Sequence, residues 1–176
     1  MKRKLLPLLL MLATGVASAQ TAPEAAPAAP EVVAAVDFAD TAFVLICSAL
    51  VLLMTPALAF FYGGLSRSKS VLNTMMMSFT AIGVITIVWV VAGYSIAFGD
   101  EPMGAYFGSF QNVMLAGIDK DSTVTTFNAA HLIPKYVFVM FQATFAIIAA
   151  ALISGALVDR MKFGAYIVFI ALWSVL

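Results

Sequence analysis

Histidine and cysteine are almost missing from this chain, one of each in 176 residues. A single cysteine, Cys47, excludes an intrachain disulfide and a cysteine-cluster metal site. It reads as a small apolar packing residue. A lone histidine, His131, lacks the partner ligands that a metal site draws on, and it reads as a polar loop residue. Charge is scarce too: 10% of residues, summing to zero, against about 25% in soluble domains. That balance offers no basic surface for nucleic acid. No nucleophile–base pair, phosphate loop or metal cluster is visible, so the expectation is a non-enzyme with no catalytic residue, metal or cofactor. What fills the space is apolar: 63% of the chain is hydrophobic, well above the roughly 45–50% of soluble domains.

The N-terminus has the marks of processing. Met1-Lys2-Arg3-Lys4 is a basic region, Leu5 to Val16 an apolar run too short to span, and Ala17-Ser18-Ala19 an A-x-A cleavage word. Residues 1–19 are therefore expected to be a signal peptide, which implies a mature N-terminus outside the cytoplasm of a bacterium with a periplasm. Residues 20–36, rich in alanine, proline and glutamate, read as a disordered leader.

The rest, 37–176, reads as an all-α membrane domain with helices at about 41–62, 73–98, 134–158 and 163–176. The first run, Thr41 to Tyr62, carries no charge and is long enough to cross a hydrocarbon core of about 30 Å. It closes on Phe60-Phe61-Tyr62, with Gly63-Gly64 as the expected stop and Arg67 and Lys69 just beyond. The fourth run is still apolar at Leu176 and shorter than a span needs, so the chain is expected to be part of a longer polypeptide. Between the second and third runs, Asp100 to Leu132 is polar enough to hold only a short helix or an ordered loop.

Charge orients these spans. Arg67, Lys69, Arg160 and Lys162 fall in the two tight loops, whereas Lys120, Lys135 and every acidic residue except Asp159 fall on the other side. Basic loops face the cytoplasm, so the N-terminus is expected outside.

Along the third run Phe138, Phe141 and Phe145 recur at helical spacing, the pattern of an apolar packing stripe. Ala146, Ala150, Ala151, Ser154 and Gly155 form a small-residue face that lets helices approach closely. Met75-Met76-Met77 points to three different helix faces and reads as lipid and core filler. Trp89 and Trp173 read as packing or interface residues.

Several words in the chain are more specific than a generic span requires: Leu50-Val51-Leu52-Leu53-Met54-Thr55-Pro56, Phe61-Tyr62-Gly63-Gly64-Leu65, Arg67-Ser68-Lys69-Ser70-Val71-Leu72, Ala92 to Gly99 (AGYSIAFG), Phe141 to Ala146 (FQATFA) and Gly155 to Phe163 (GALVDRMKF). In that order they resemble the ammonium transporter family (Amt/Mep/Rh), from about Asp37 to Leu176. The chain departs from the family pattern at Ala57, often a glycine there, and at Ala149-Ala150-Ala151; both changes keep the helix apolar.

The resemblance implies the first four spans, the fourth incomplete, of an eleven-helix inverted-repeat transporter assembled as a homotrimer with one pore per subunit. It implies ammonium or ammonia as substrate, methylammonium as analogue, an inner-membrane location and, as in relatives, a cytoplasmic P-II signalling protein as partner. Phe145 would match an outer pore gate, with Phe141 one turn nearer the vestibule and Gln142 offering an amide oxygen. Tyr62 would match a tyrosine near the inner pore, a reading that stands level with an interfacial belt role. The pore histidines belong to later helices, so His131 is not one of them, and this stretch cannot conduct alone. Two other readings stay open: the membrane module of an ammonium sensor, and a non-conducting four-span structural protein.

Overall fold

The computed structural model describes residues 35–99, 108–125 and 131–175, all within the second of the chain's two units, Ala34–Leu176. The expected signal peptide, 1–19, and the expected leader as far as residue 34 lie outside the described residues. So do 100–107 and 126–130, part of the expected outer loop.

Helix α1, Phe38–Leu65, begins at Asp37, whose side chain accepts from the backbone N–H of Ala39 and of Asp40. Two of the first turn's orphan donors are thereby satisfied. The helix runs straight through Gly63-Gly64, where the sequence led us to expect its stop. It ends at Ser66, whose N–H and hydroxyl both turn back to the Gly63 carbonyl. The reason is packing. Gly63 is fully buried, and a methyl group there would lie 2.9 Å from the Met75 Cγ. Its missing side chain admits the neighbouring helix instead of releasing the chain. Pro56 sits inside α1, as membrane helices tolerate.

Helix α2, Val71–Phe98, is interrupted by a π-helical turn at Trp89–Gly93. That wide turn leads into Tyr94, and the Trp89 indole N–H donates to the Val139 carbonyl at 3.2 Å. Helix α3 covers Lys135–Leu157 and α4 Phe163–Trp173. The first three helices are long and apolar enough to cross a membrane, whereas α4 is shorter. The expected spans are thus present, with α1 reaching about a turn beyond its expected ends.

Helices α1, α2 and α3 pack on one another, and α4 packs on α2. Their shared core is Met77, Ala81 and Ile85 of α2, Ile147, Ala150 and Ala151 of α3, and Tyr166 and Ile170 of α4. Ala150 and Ala151 of α3 are 0% exposed, so small side chains bring backbones together there as the sequence pattern suggests. Ser78 and Ser154 meet in the same layer, hydroxyl to hydroxyl at 3.3 Å.

The departure from a purely helical chain is a small sheet at one end. Strands β1 (Ala35–Val36), β2 (Thr123–Thr125) and β3 (His131–Pro134) are ordered β1-β3-β2. β3 runs parallel to β1, Ala35 opposite His131, and antiparallel to β2, Val124 opposite Ile133. The last two residues of the stretch read as leader are therefore paired, and part of the expected loop is strand. Strands of two to four residues are too short to show alternation.

The basic loops lie together at the other end. Arg67 Nε stands 3.8 Å from Asp159 Oδ2, and the Ser70 hydroxyl donates to the same carboxylate. Asp159, the one acidic residue on that side of the charge pattern, thus ties the α1–α2 loop to the α3–α4 loop.

Candidate functional site

Helix α3 carries three of the four residues singled out as a substrate pathway. Its start is fixed from outside the helix. The Lys135 N–H donates to the Ser122 carbonyl at 2.8 Å, and the Tyr136 hydroxyl donates to the Ile118 carbonyl at 2.6 Å. One turn further on, the expected stripe of three phenylalanines divides. Phe138 turns toward α2, its ring 5.1 Å from that of Phe98 and perpendicular to it, among Trp89, Tyr94 and Val139. Among the described residues, the ring partners of Phe141 and Phe145 are each other. Their centroids are 5.0 Å apart at an interplanar angle of 83°, an edge-to-face pair.

Phe145 is 45% exposed, whereas Thr144, Ile147, Ile148 and Ala151 beside it are buried. The pair therefore lies off the face of α3 that makes the core. Gln142, which follows Phe141 in the chain, is half-buried. The Thr144 hydroxyl is turned back onto the Phe141 carbonyl at 2.6 Å, which leaves Gln142 as the amide nearest the pair in sequence. The edge-to-face arrangement leaves ring surface that can receive a cation.

Tyr62, the fourth residue, is elsewhere. Its hydroxyl donates to the Leu152 carbonyl at 3.2 Å, seven residues past Phe145 and thus about 10 Å further along α3. Its ring lies over Gly155, where a methyl group would come within 2.5 Å of Tyr62 Cζ. Tyr62 and Gly155, with Leu65, Ser66 and Val158, line a crevice of about 220 Å³ between the ends of α1 and α3. A second crevice of about 340 Å³, lined by Met54, Ala57, Leu58, Phe61, Ile148 and Leu152, is apolar throughout. Tyr62 is therefore more than an interfacial belt residue: it fastens two helices.

Two further arrangements had no signal in the sequence. The π-helical turn gathers Trp89, Tyr94, Phe98 and Phe138 into one aromatic cluster; the sequence marks Trp89 as a packing or interface residue without naming these partners. His131, read as isolated, has acidic neighbours. Its Nδ1 is 2.8 Å from Asp37 Oδ2 and 3.4 Å from Asp40 Oδ2. The partners come from residues more than ninety positions earlier, brought close by the β1–β3 pairing, which no local spacing reveals.

Comparison with known proteins agrees with this architecture. The model of the Ammonium Transporter Family matches residues 42–176. An ammonium transporter of Mycobacterium tuberculosis (strain ATCC 25618 / H37Rv) is 50% identical over 149 residues, covering 78% of this chain and 31% of the relative. One of Aquifex aeolicus (strain VF5) is 49% identical over 143 residues, covering 81% of this chain and 32% of the relative. Among solved structures, Candida albicans Mep2 superposes with a TM-score of 0.66 at 29% identity, over 79% of this chain and 29% of that one. Saccharomyces cerevisiae Mep2 gives 0.68 at 26% identity, over 82% and 31%. The chain spans about a third of the length of the relatives it matches.

Proposed function

The chain belongs to the ammonium transporter family, and from that premise we propose that the protein it forms carries ammonium or ammonia across a membrane. The problem such a protein solves is desolvation. A small cation placed in hydrocarbon loses its hydration at a cost of many kcal/mol, unless groups along the path replace that water or the cation gives up its proton.

One observation carries the reading most directly: the edge-to-face pair of half-buried Phe141 and exposed Phe145, set off the core face of α3. We assign Phe145 as a gate on the substrate pathway and Phe141 as the wall of the vestibule before it. Gln142 supplies an amide oxygen that accepts from an ammonium N–H. Tyr62 closes the wall toward the other end by holding α1 to α3. A cation over a ring gains about 0.5–2 kcal/mol, enough to hold it at the mouth without trapping it.

The remaining assignments follow the family and the charge pattern. The signal peptide is 1–19 and the leader 20–36, and 37–176 is part of the transporter domain of a multi-pass protein. The bundle sits in the inner membrane with the sheet end in the periplasm and the Arg67–Asp159 end in the cytoplasm. The assembly is a homotrimer with a pore in each subunit, and the cytoplasmic mouth is where a P-II protein acts.

Methylammonium uptake by the full-length protein tests the central assignment. Phe145→Ala should change uptake by about 2- to 30-fold, the range that 0.5–2 kcal/mol implies. Met76→Ala, at another exposed apolar position, should leave uptake near the wild-type level. Equal effects at the two positions would return Phe145 to packing.

A further inference from the structure

We propose that Asp37, Asp40 and His131 form a binding site for one divalent transition-metal ion, Zn2+ being the probe of choice, at the sheet end of the bundle. Such a site is independent of the transport reading. Asp37 and Asp40 also precede the segment that the family model matches, 42–176.

The three groups are held by backbone. β1 pairs with β3 so that Ala35 stands opposite His131, and the Asp37 N–H donates to the Leu132 carbonyl at 2.9 Å. Asp37 Oδ1 is occupied in capping α1, accepting from Ala39 N at 2.8 Å and Asp40 N at 3.1 Å. Its other oxygen is thereby turned to His131 Nδ1. Asp40 stands one helical turn on and faces the same way.

One imidazole nitrogen and two carboxylate oxygens result, all within 4.8 Å of one another. Ligands about 2.0–2.2 Å from a tetrahedral Zn2+ lie roughly 3.3–3.5 Å apart. The distances to Nδ1, 2.8 and 3.4 Å, reach that spacing with a shift of about half an ångström in one side chain. The donor set of one nitrogen and two carboxylate oxygens is one that zinc accepts, with water in the fourth position.

Charge and access point the same way. Among the described residues, the only ion-pair partner of either carboxylate is His131 itself, so with a neutral ring the pocket is doubly negative. The side chains are 29–46% exposed, open enough for a hydrated ion to enter. On binding, Nδ1 gives its lone pair to the metal and the ring proton resides on Nε2, whereas in the metal-free pair Nδ1–H donates to Asp37. The bound ion would staple the start of α1 to β3.

The test uses the full-length protein in detergent, purified without a histidine tag, titrated with Zn2+ by calorimetry and with Co2+ by visible absorption. One ion per chain is expected. Asp40→Asn, which leaves the Asp37 cap in place, and His131→Gln should each weaken binding by about tenfold or more, at least the loss seen when a supporting group of a metal site is removed. No saturable binding up to millimolar free Zn2+, or wild-type affinity in His131→Gln, overturns the proposal. The histidine ring signal that disappears in His131→Gln identifies that of His131 in the histidine-labelled wild-type protein and gives a second readout. A signal unmoved by Zn2+ also overturns it.

Discussion

Gly155→Ala should destabilise the helix bundle, and only while Tyr62 is present. A methyl group at 155 would lie 2.5, 2.8 and 2.9 Å from three carbons of the Tyr62 ring, so the ring must leave its place. It then gives up the hydrogen bond to Leu152. Overpacking of this kind costs about 1–3 kcal/mol, and the lost hydrogen bond about 0.5–1.5. Alanine returns about 1 kcal/mol through helix propensity. The expected net loss is about 0.5–3.5 kcal/mol. With Tyr62→Ala as background the obstacle is gone, and Gly155→Ala should stabilise by about 1 kcal/mol. The sign therefore reverses between backgrounds, a coupling of about 1.5–4.5 kcal/mol. Unfolding in mixed detergent micelles, followed by circular dichroism over the four variants, measures it. Gly63→Ala is the control: its obstacle is the Met75 side chain, which is flexible and can swing aside, so the cost should be smaller. An equal effect of Gly155→Ala in both backgrounds would refute the claim that Tyr62 is what the glycine accommodates.

Two other outcomes follow from the ends of the bundle. Cysteines introduced at Ser68 and Ser122 in a Cys47→Ser background should be labelled from opposite sides of the membrane, Ser68 from the cytoplasm; the reverse pattern would overturn the orientation. At the sheet end, the Asp37 carboxyl is held below its ordinary 3.8 by the Asp40 backbone N–H, by His131 and by the Ala39 N–H. A carboxyl lowered in the fold adds stability that is full above its ordinary value and lost as pH falls through the lowered one. The melting temperature should therefore drop below about pH 4 in the wild type, less steeply in Asp37→Asn; identical acid slopes would exclude the cap as the source.

The helices were legible because a span is a local property. Thr41 to Tyr62 must be apolar along its whole length to cross lipid, and that can be counted along the chain. Their ends were less so. Gly63-Gly64 carries a stop signal in sequence, yet the helix continues because Met75 of α2 packs where a side chain at 63 would be. The same limit applied at Tyr62, whose place over Gly155 depends on a partner 93 positions away. Phe138 shares helical spacing with Phe141 and Phe145, but Phe98 across the interface draws it into a different cluster.

Which runs are long and apolar enough to span, which loops carry the positive charge and which family words are present could all be read along the chain, since hydropathy, charge and motif reside in consecutive residues. What each side chain is for emerged only from the packed fold. Packing separated Phe138 from the Phe141–Phe145 pair, made Tyr62 a fastening between α1 and α3, gave Asp159 two partners and put the lone histidine beside two carboxylates. Each of these depends on contacts between residues distant in sequence, and those exist only once α1, α2, α3 and the small sheet have come together.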